Sequence, residues 1–250
     1  TGGTTYAIKV NGAALENRAV DAGLGLDANG VATFSLVADG TGTNFLRPED
    51  IAWDTVDPGR AYFVTTDTID GVDPASATSR LWRLTLNDAN DPTAGGRIEL
   101  LIDGRQPGQP QMMDNLSVDA DGRVLIQEDV GNNARLGKVW RYDPVAKTTA
   151  EVAAHDPARF LIGAPGLLTQ DEESSGILDV TTLFDGVAGY DTAAYRYYLL
   201  DVQAHYALTD PALVEGGQLL LMAVPVPEPA HLTLTASLLG FTLLGTRRRR

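Results

Sequence analysis

Apolar positions along this chain come in short runs, not in a helical period. RAYFVTT (60–66), SRLWRLTL (79–86), GRVLIQ (122–127), GKVWRYD (137–143) and YRYYLLDVQ (195–203) are each rich in β-branched and aromatic residues, with Gly, Asp or Pro clusters between them. No window sustains a 3.6-residue period over three turns, so the pattern predicts strands joined by tight turns. A content of 26 Gly and 13 Pro against 3 Met points the same way. The expected class is all-β.

Two segments echo each other. PEDIAWDTVDPGRAYFVTTD (48–67) and MDNLSVDADGRVLIQEDVGN (113–132) both run acid, strand, Asp/Gly turn, Arg, second strand, acid. Each is followed by a third strand carrying Trp-Arg, at Trp82-Arg83 and Trp140-Arg141, and TTYAIKV (4–10) reads as a weaker copy of that strand. A period of about sixty residues with three or four short strands per unit is blade-like, because a lone sheet cannot bury both faces and stacking around an axis can. The body, 1–224, therefore reads as part of a β-propeller. Roughly four blades fit in it, too few for most closed rings. With the chain opening inside a strand-like segment, the expectation is a set of C-terminal blades from a longer protein. A β-sandwich is the alternative should the echo be accidental.

The formal charge is −14, and Arg247 to Arg250 conceal part of the acidity of the body. Such a surface repels nucleic acid and anionic lipid and suits cations or plain solubility. The chain has no Cys, which removes disulfides, thiolate nucleophiles and Cys-ligated metals from these residues.

The acids stand where chemistry is expected. In a propeller, the ends of inner strands converge on the axis. Glu49, Glu128 and Glu173 lie beside strands of successive units, and with the carbonyl of Asn115 they would offer the hard oxygens Ca²⁺ prefers. In QDEESSGILDV (170–180) alternation sends Glu173 and Asp171 to one side and Glu172 to the other. Arg47, just before Pro48 and Glu49, is a candidate phosphate contact through its guanidinium fork. Asp201, Gln203 and His205 share one strand face, and His205 is a candidate acid/base or ligand. The plainer readings are a neighbouring ion pair at Arg47–Glu49, an Asx turn at Asp114-Asn115, solvated acids, and a structural His205. His155, in AAHDPARF, has no partner at ligand spacing and reads as a loop residue. Ser174 and Ser175 lack a nucleophile elbow, and EF-hand, H-E-x-x-H and phosphate-loop motifs are absent.

The last residues, 225–250, run Pro227-Glu228-Pro229, an apolar segment from about His231 to Thr246, then four Arg. That segment falls short of the ~20 residues that span a bilayer comfortably. In order and position the parts resemble a PEP-CTERM sorting signal, with Thr233, Thr235 and Ser237 more polar than usual. The resemblance implies export in a Gram-negative bacterium, handling by an exosortase, transient anchoring in the membrane through this segment, and display at the cell surface or in the extracellular matrix.

The body, from about Thr4 to Met222, resembles the PhoX-like family of secreted bacterial proteins, related to PhoX-type alkaline phosphatases. The strings that carry the likeness are RPEDIAWD, YFVTTD, SRLWRL, MDNLSVDADGRVLIQED, HDPARF, QDEESSGILD, LLDVQAHY and LVEGGQLLLM. The family implies a six-bladed propeller with calcium and iron at an acidic centre that hydrolyses phosphate monoesters. It matches Glu49 to a ligand glutamate, Asn115 and Glu128 to D-N and E-D positions, Glu173 to an E-F-A-G glutamate, and Gln203 to a channel-facing Gln. The family's Cys iron ligand belongs to a W-G-T-W-x-x-C-E-E segment that would precede Thr1, and ESSG in place of EFAG marks a divergent branch. Two functions follow from this: a metal-dependent phosphomonoesterase, and a non-catalytic, calcium-stabilised surface propeller that binds matrix or envelope components.

Overall fold

The computed structural model describes residues 4–11, 13–16, 24–67, 79–210 and 212–226. Pro227, Glu228, Pro229 and the rest of the tail lie outside the described residues. The strands are β1 (Ala7–Val10), β2 (Val31–Val37), β3 (Pro48–Trp53), β4 (Arg60–Thr65), β5 (Arg80–Leu86), β6 (Gly96–Asp103), β7 (Met113–Val118), β8 (Val124–Glu128), β9 (Lys138–Asp143), β10 (Thr148–Ala154), β11 (Glu172–Asp179), β12 (Tyr195–Ala204) and β13 (Gly216–Pro225). One helical turn, α1 (Pro157–Phe160), lies between β10 and β11. The last strand, β13, runs through Pro225.

The strands form three antiparallel sheets in the orders β1-β2-β6-β5-β4-β3, β10-β9-β8-β7 and β11-β12-β13. The inner strands touch, β3 on β7 and β7 on β11, so the sheets stand side by side as three blades of a propeller-like fold. Three sheets replace the roughly four blades expected. The discrepancy lies at the start of the chain, where TTYAIKV does not copy a third strand. Instead β1 pairs with β2, and β2 adds to the outer edge of the first blade beside β6. Gly96 permits that addition, since a Cβ there would lie 2.8 Å from the Phe34 ring and 2.2 Å from the Thr85 carbonyl oxygen.

The buried runs follow from blade stacking. In β8, Val124 and Ile126 join Tyr62, Leu81 and Trp140 in the core between the first and second blades. Leu125 faces the other way, toward Ile177, Tyr198 and Leu200 of the third. A strand covered on both faces loses polar alternation, which is why VLIQE is buried throughout. Each large apolar side chain fully buried in this way contributes about 1.5–3 kcal/mol. A third cluster, with Phe34, Phe63, Trp82 and Ile98, packs β1 and β2 onto the first blade.

Turns at the far end of the inner strands lock the blades together. The Asp119 carboxylate accepts hydrogen bonds from the Asp121 and Arg123 N–H groups and from the Tyr198 hydroxyl of the third blade, at 2.9, 2.9 and 3.0 Å. Asp54 collects the same kinds of donor within the first blade, from the Val56 and Asp57 N–H groups and the Tyr62 hydroxyl, and the neighbouring Thr55 hydroxyl donates across to the Asp119 carbonyl at 2.5 Å.

Candidate functional site

The near ends of the inner strands carry one repeated irregularity. The pairing register shifts between Pro48 and Ile51 in β3, between Met113 and Asn115 in β7, and between Glu173 and Gly176 in β11. A bulge bends its strand and re-aims a side chain. Pro48 pairs with Thr65, Met113 with Glu128 and Glu172 with Ala204, which makes Glu49, Asp114 and Glu173 equivalent positions in three blades. At the matching ends of the second strands, the N–H groups of Thr66, Asp129 and His205 donate to the carbonyls of Arg47, Met112 and Asp171, at 2.9, 2.9 and 3.0 Å. Arg47 and Met112, equivalent in turn, both adopt the left-handed region, with φ of 53° and 48°. Non-glycine residues held there cost about 1–3 kcal/mol and gather at binding sites.

Electrostatics follow from this convergence. Burial first, then the negative charges of Glu49, Asp129 and Glu173, push the Asp114 carboxyl up to about 7, with Arg47 pulling the other way. Asp114 accepts no hydrogen bond from another described residue. Arg47 reaches Glu49 Oε1 at 3.1 Å and donates to the Asp67 carbonyl at 2.8 Å, and its guanidinium remains half exposed. Glu173 accepts from the Ser175 hydroxyl. His205 Nε2 lies 3.9 Å from Glu173 Oε2, and its Nδ1 lies 2.8 Å from Glu215 Oε2. Burial lowers the His205 pKa, but the Glu215 hydrogen bond and the charges of Glu215, Asp171 and Glu173 outweigh it and hold the pKa above its ordinary value.

Neighbouring acids take opposite directions, as alternation on a strand requires. Glu49 borders the shared cluster, while Asp50 turns to the second blade and accepts from the Leu116 N–H at 2.9 Å. Glu173 joins the cluster, while Glu172 is buried and accepts from the Gly137 N–H at 2.9 Å. In the second blade Asp129 joins the cluster and Glu128 does not. The expectation that Glu128 faces the axis is therefore corrected. It is fully buried and accepts from Gln111 N–H at 2.9 Å, Trp140 Nε1 at 2.9 Å, and Arg135 Nε and Nη2 at 3.0 and 2.5 Å. Burial still raises its pKa against those four donors.

Asn115 lies at the end of the β7 bulge and is partly buried. Gln203 pairs opposite Glu173, hence on the same face, and is exposed. Among the described residues no three His, Asp or Glu side chains are grouped closely enough to hold a metal ion, so a closed cage of Glu49, Asn115, Glu128 and Glu173 is not assembled. His155 lies in the loop between β10 and α1, as expected of it, and is buried there beside Glu172 and Phe160.

Asp114 and Asp129 belong to the cluster and were not singled out as ligands by sequence. Strand alternation could have found Asp129, since Glu128 ends the run VLIQ, which reads as buried on both faces. Glu16 had no sequence signal at all. It is fully buried against Arg80 at 2.5 Å and accepts from the Leu46 N–H at 2.9 Å and from the Thr65 hydroxyl, which itself accepts from Trp82 Nε1. Leu46 and Gln111 are equivalent, so Glu16 with Arg80 and Trp82 repeats in the first blade what Glu128 does with Arg135 and Trp140 in the second. This explains the repeated tryptophan of the third strands.

No family model matches the sequence, and no curated protein matches it. Among solved structures, the fold is similar to that of Pseudomonas fluorescens PhoX, determined in complex with vanadate, a transition-state analogue, with a TM-score of 0.51 and 14% identity. The match covers 88% of this chain and 44% of that one, so the chain spans less than half of the protein it resembles. PhoX is a β-propeller, and the fold of this chain is PhoX-like.

Proposed function

We propose that the axial acids bind a hard divalent cation, calcium by their all-oxygen chemistry, in an exported PhoX-like protein that hydrolyses phosphate monoesters. The observation that carries this reading is the placement of Glu49, Asp114 and Glu173 at equivalent positions of three inner strands, where they crowd one another with Arg47 as the opposing charge. Carboxylate oxygens suit calcium in kind. In spacing, no three of them among the described residues close on one ion, and this chain offers no Cys for iron. When bound, the cation would polarise phosphoryl oxygens and stabilise the charge that develops on them. Arg47 would orient the phosphate through its exposed fork. His205, holding a proton between Glu173 and Glu215, would donate it to the leaving oxygen. The tail, through Pro227-Glu228-Pro229, would direct export and sorting to the cell surface.

The test is release of p-nitrophenol from p-nitrophenyl phosphate by the intact protein in calcium and in chelator. Chelation should abolish turnover, and Glu49→Gln and Asp114→Asn should each reduce it at least tenfold. Wild-type turnover in both variants would overturn the site. A second reading rests on Glu128, whose family counterpart is a ligand position but which is spent here on Arg135. This reading is a non-catalytic propeller that calcium stabilises. It predicts a calcium-dependent melting temperature with no hydrolysis of any phosphoester.

A further inference from the structure

Every blade but one has a strand outside its third. β6 flanks β5 in the first sheet and β10 flanks β9 in the second, whereas β13, the third strand of the third sheet, has no partner beyond β12 among the described residues. The edge left open is long and regular. β13 pairs with β12 without a register shift from Gly216↔Ala204 to Pro225↔Tyr195, and Leu219, Leu220 and Leu221 stand 70%, 39% and 45% exposed along it. Unpaired edges invite strand addition, and folded proteins guard them with charge, bulges or brevity. The other outer edges carry such guards. β10 has a register shift between Glu151 and Ala153, with Glu151 bonded to Lys138 at 2.6 Å, and β1 is four residues long and carries Lys9. From Gly216 to Val226 no side chain is ionisable, and no bulge interrupts the ladder.

Charge and chain direction decide what fits there. The chain carries a formal charge of −14, so a second copy is repelled over most of its surface. β13 is the exception. A neutral strand offers no counter-charge to a charged peptide, but it lets another β13 approach. At its last described residue the chain does not turn onto this edge: the Val226 N–H donates to the Ala194 carbonyl at 2.8 Å and extends the β12 ladder past the end of β13. Antiparallel pairing of β13 with itself is isologous, since each copy presents the same donors and acceptors to the other, and it closes after two copies. Such pairing continues the antiparallel order β11-β12-β13 into a sheet of six strands, the number the first sheet already holds.

We propose that β13 is a dimerisation edge, pairing antiparallel with β13 of a second copy of this chain across a twofold axis. The inference is independent of phosphoester chemistry at the propeller axis. Sedimentation equilibrium of the intact protein tests it, together with amide hydrogen exchange at dilute and associating concentrations. Wild type should interconvert between monomer and dimer, and amides within Gly217–Ala223 should exchange more slowly as dimer forms. Leu219→Lys combined with Leu221→Lys places two charges on side chains that are exposed in the single copy, so the fold should persist, seen as wild-type near-ultraviolet circular dichroism in dilute solution. Dimerisation should weaken at least tenfold in this variant, and exchange of those amides should lose its dependence on concentration. The proposal fails if wild type stays monomeric at every concentration, or if it grows past the dimer. It also fails if the double variant associates as tightly as wild type, which would place the contact elsewhere, the apolar tail included. Protection of the β13 amides that does not vary with concentration would mean that another part of the chain covers the edge, and would overturn the proposal as well.

Discussion

Glu128 and Asp129 are consecutive in the chain and inhabit different electrostatic worlds. Glu128 is enclosed by the second blade and surrounded by an arginine, an indole N–H and a backbone N–H. Asp129 borders a cluster of acids whose one cationic partner on the same face of the first blade is Arg47. The same division separates Glu172 from Glu173 and Asp50 from Glu49. Interior members of these pairs act as struts, each collecting donors that blade stacking would otherwise strand. Axial members do nothing for the packing and oppose one another. A chain that crowds carboxylates at one repeated position in three blades, with only Arg47 and His205 among the described residues opposing them, while burying their neighbours among donors, separates the residues that hold the fold from those that a cation would hold.

Truncation should make that contrast measurable. Glu128→Ala leaves the Arg135 charge, the Trp140 N–H and the Gln111 N–H without their acceptor. Removing one partner of a buried pair costs about 3–5 kcal/mol. Urea unfolding should show a loss of that size, the same in calcium and in chelator. Asp129→Ala should cost far less in chelator, because it deletes one hydrogen bond to Gly131 and one source of repulsion. Equal losses in the two variants would dissolve the distinction between strut and axial acid.

Asp114 gives the opposite sign. Its folded-state pKa of about 7 lies above the ordinary 3.8, so between roughly pH 4 and pH 7 the folded protein holds a proton that the unfolded chain releases. Stability in chelator should therefore fall as pH rises through that window and level off above it. Asp114→Asn, which removes the charge at nearly constant shape, should flatten this slope and raise the melting temperature at pH 8 but not at pH 4. In calcium the order should invert. A cation that binds only the folded state adds about 2.7 kcal/mol at a hundredfold excess over its dissociation constant. Wild type should gain by that route and the variant much less. A melt that calcium leaves unmoved in wild type would remove the cation from the site.

Sequence carried most of the fold, because the devices that make a blade are local. Strand runs, Asp-Gly turns and the repeated Trp-Arg all lie within single units. It missed the addition of β1 and β2 to the first blade, which depends on a long-range pairing that a bare glycine at position 96 makes possible. In the site, Glu49 and Glu173 were legible from their place before strands. Glu128 was misassigned because a motif names a pair of acids, and only register decides which of the two faces the axis. The pairing register that aligns Asp114 with Glu49 and Glu173 leaves no mark in composition. The burial of His155 was hidden for a similar reason, since its neighbours Gly137, Phe160 and Glu172 come from separate parts of the chain.

The smallest effect concerns the two tryptophans that repeat the same role by different chemistry. Trp140 donates directly to the Glu128 carboxylate, whereas Trp82 donates to the Thr65 hydroxyl, which passes the bond on to Glu16. Both rings are buried, so Trp→Phe removes similar volume at each and the packing loss largely cancels in a comparison. What remains is the donor. A hydrogen bond to a charged group contributes about 1.5–3 kcal/mol, and one between neutral groups about 0.5–1.5. Trp140→Phe should therefore destabilise more than Trp82→Phe, by about 1 kcal/mol in urea unfolding. The gap should close in the Glu128→Gln background, where both indoles face neutral acceptors. If it persists there, the difference lies in packing, and the charge on Glu128 is not what sets the second blade apart.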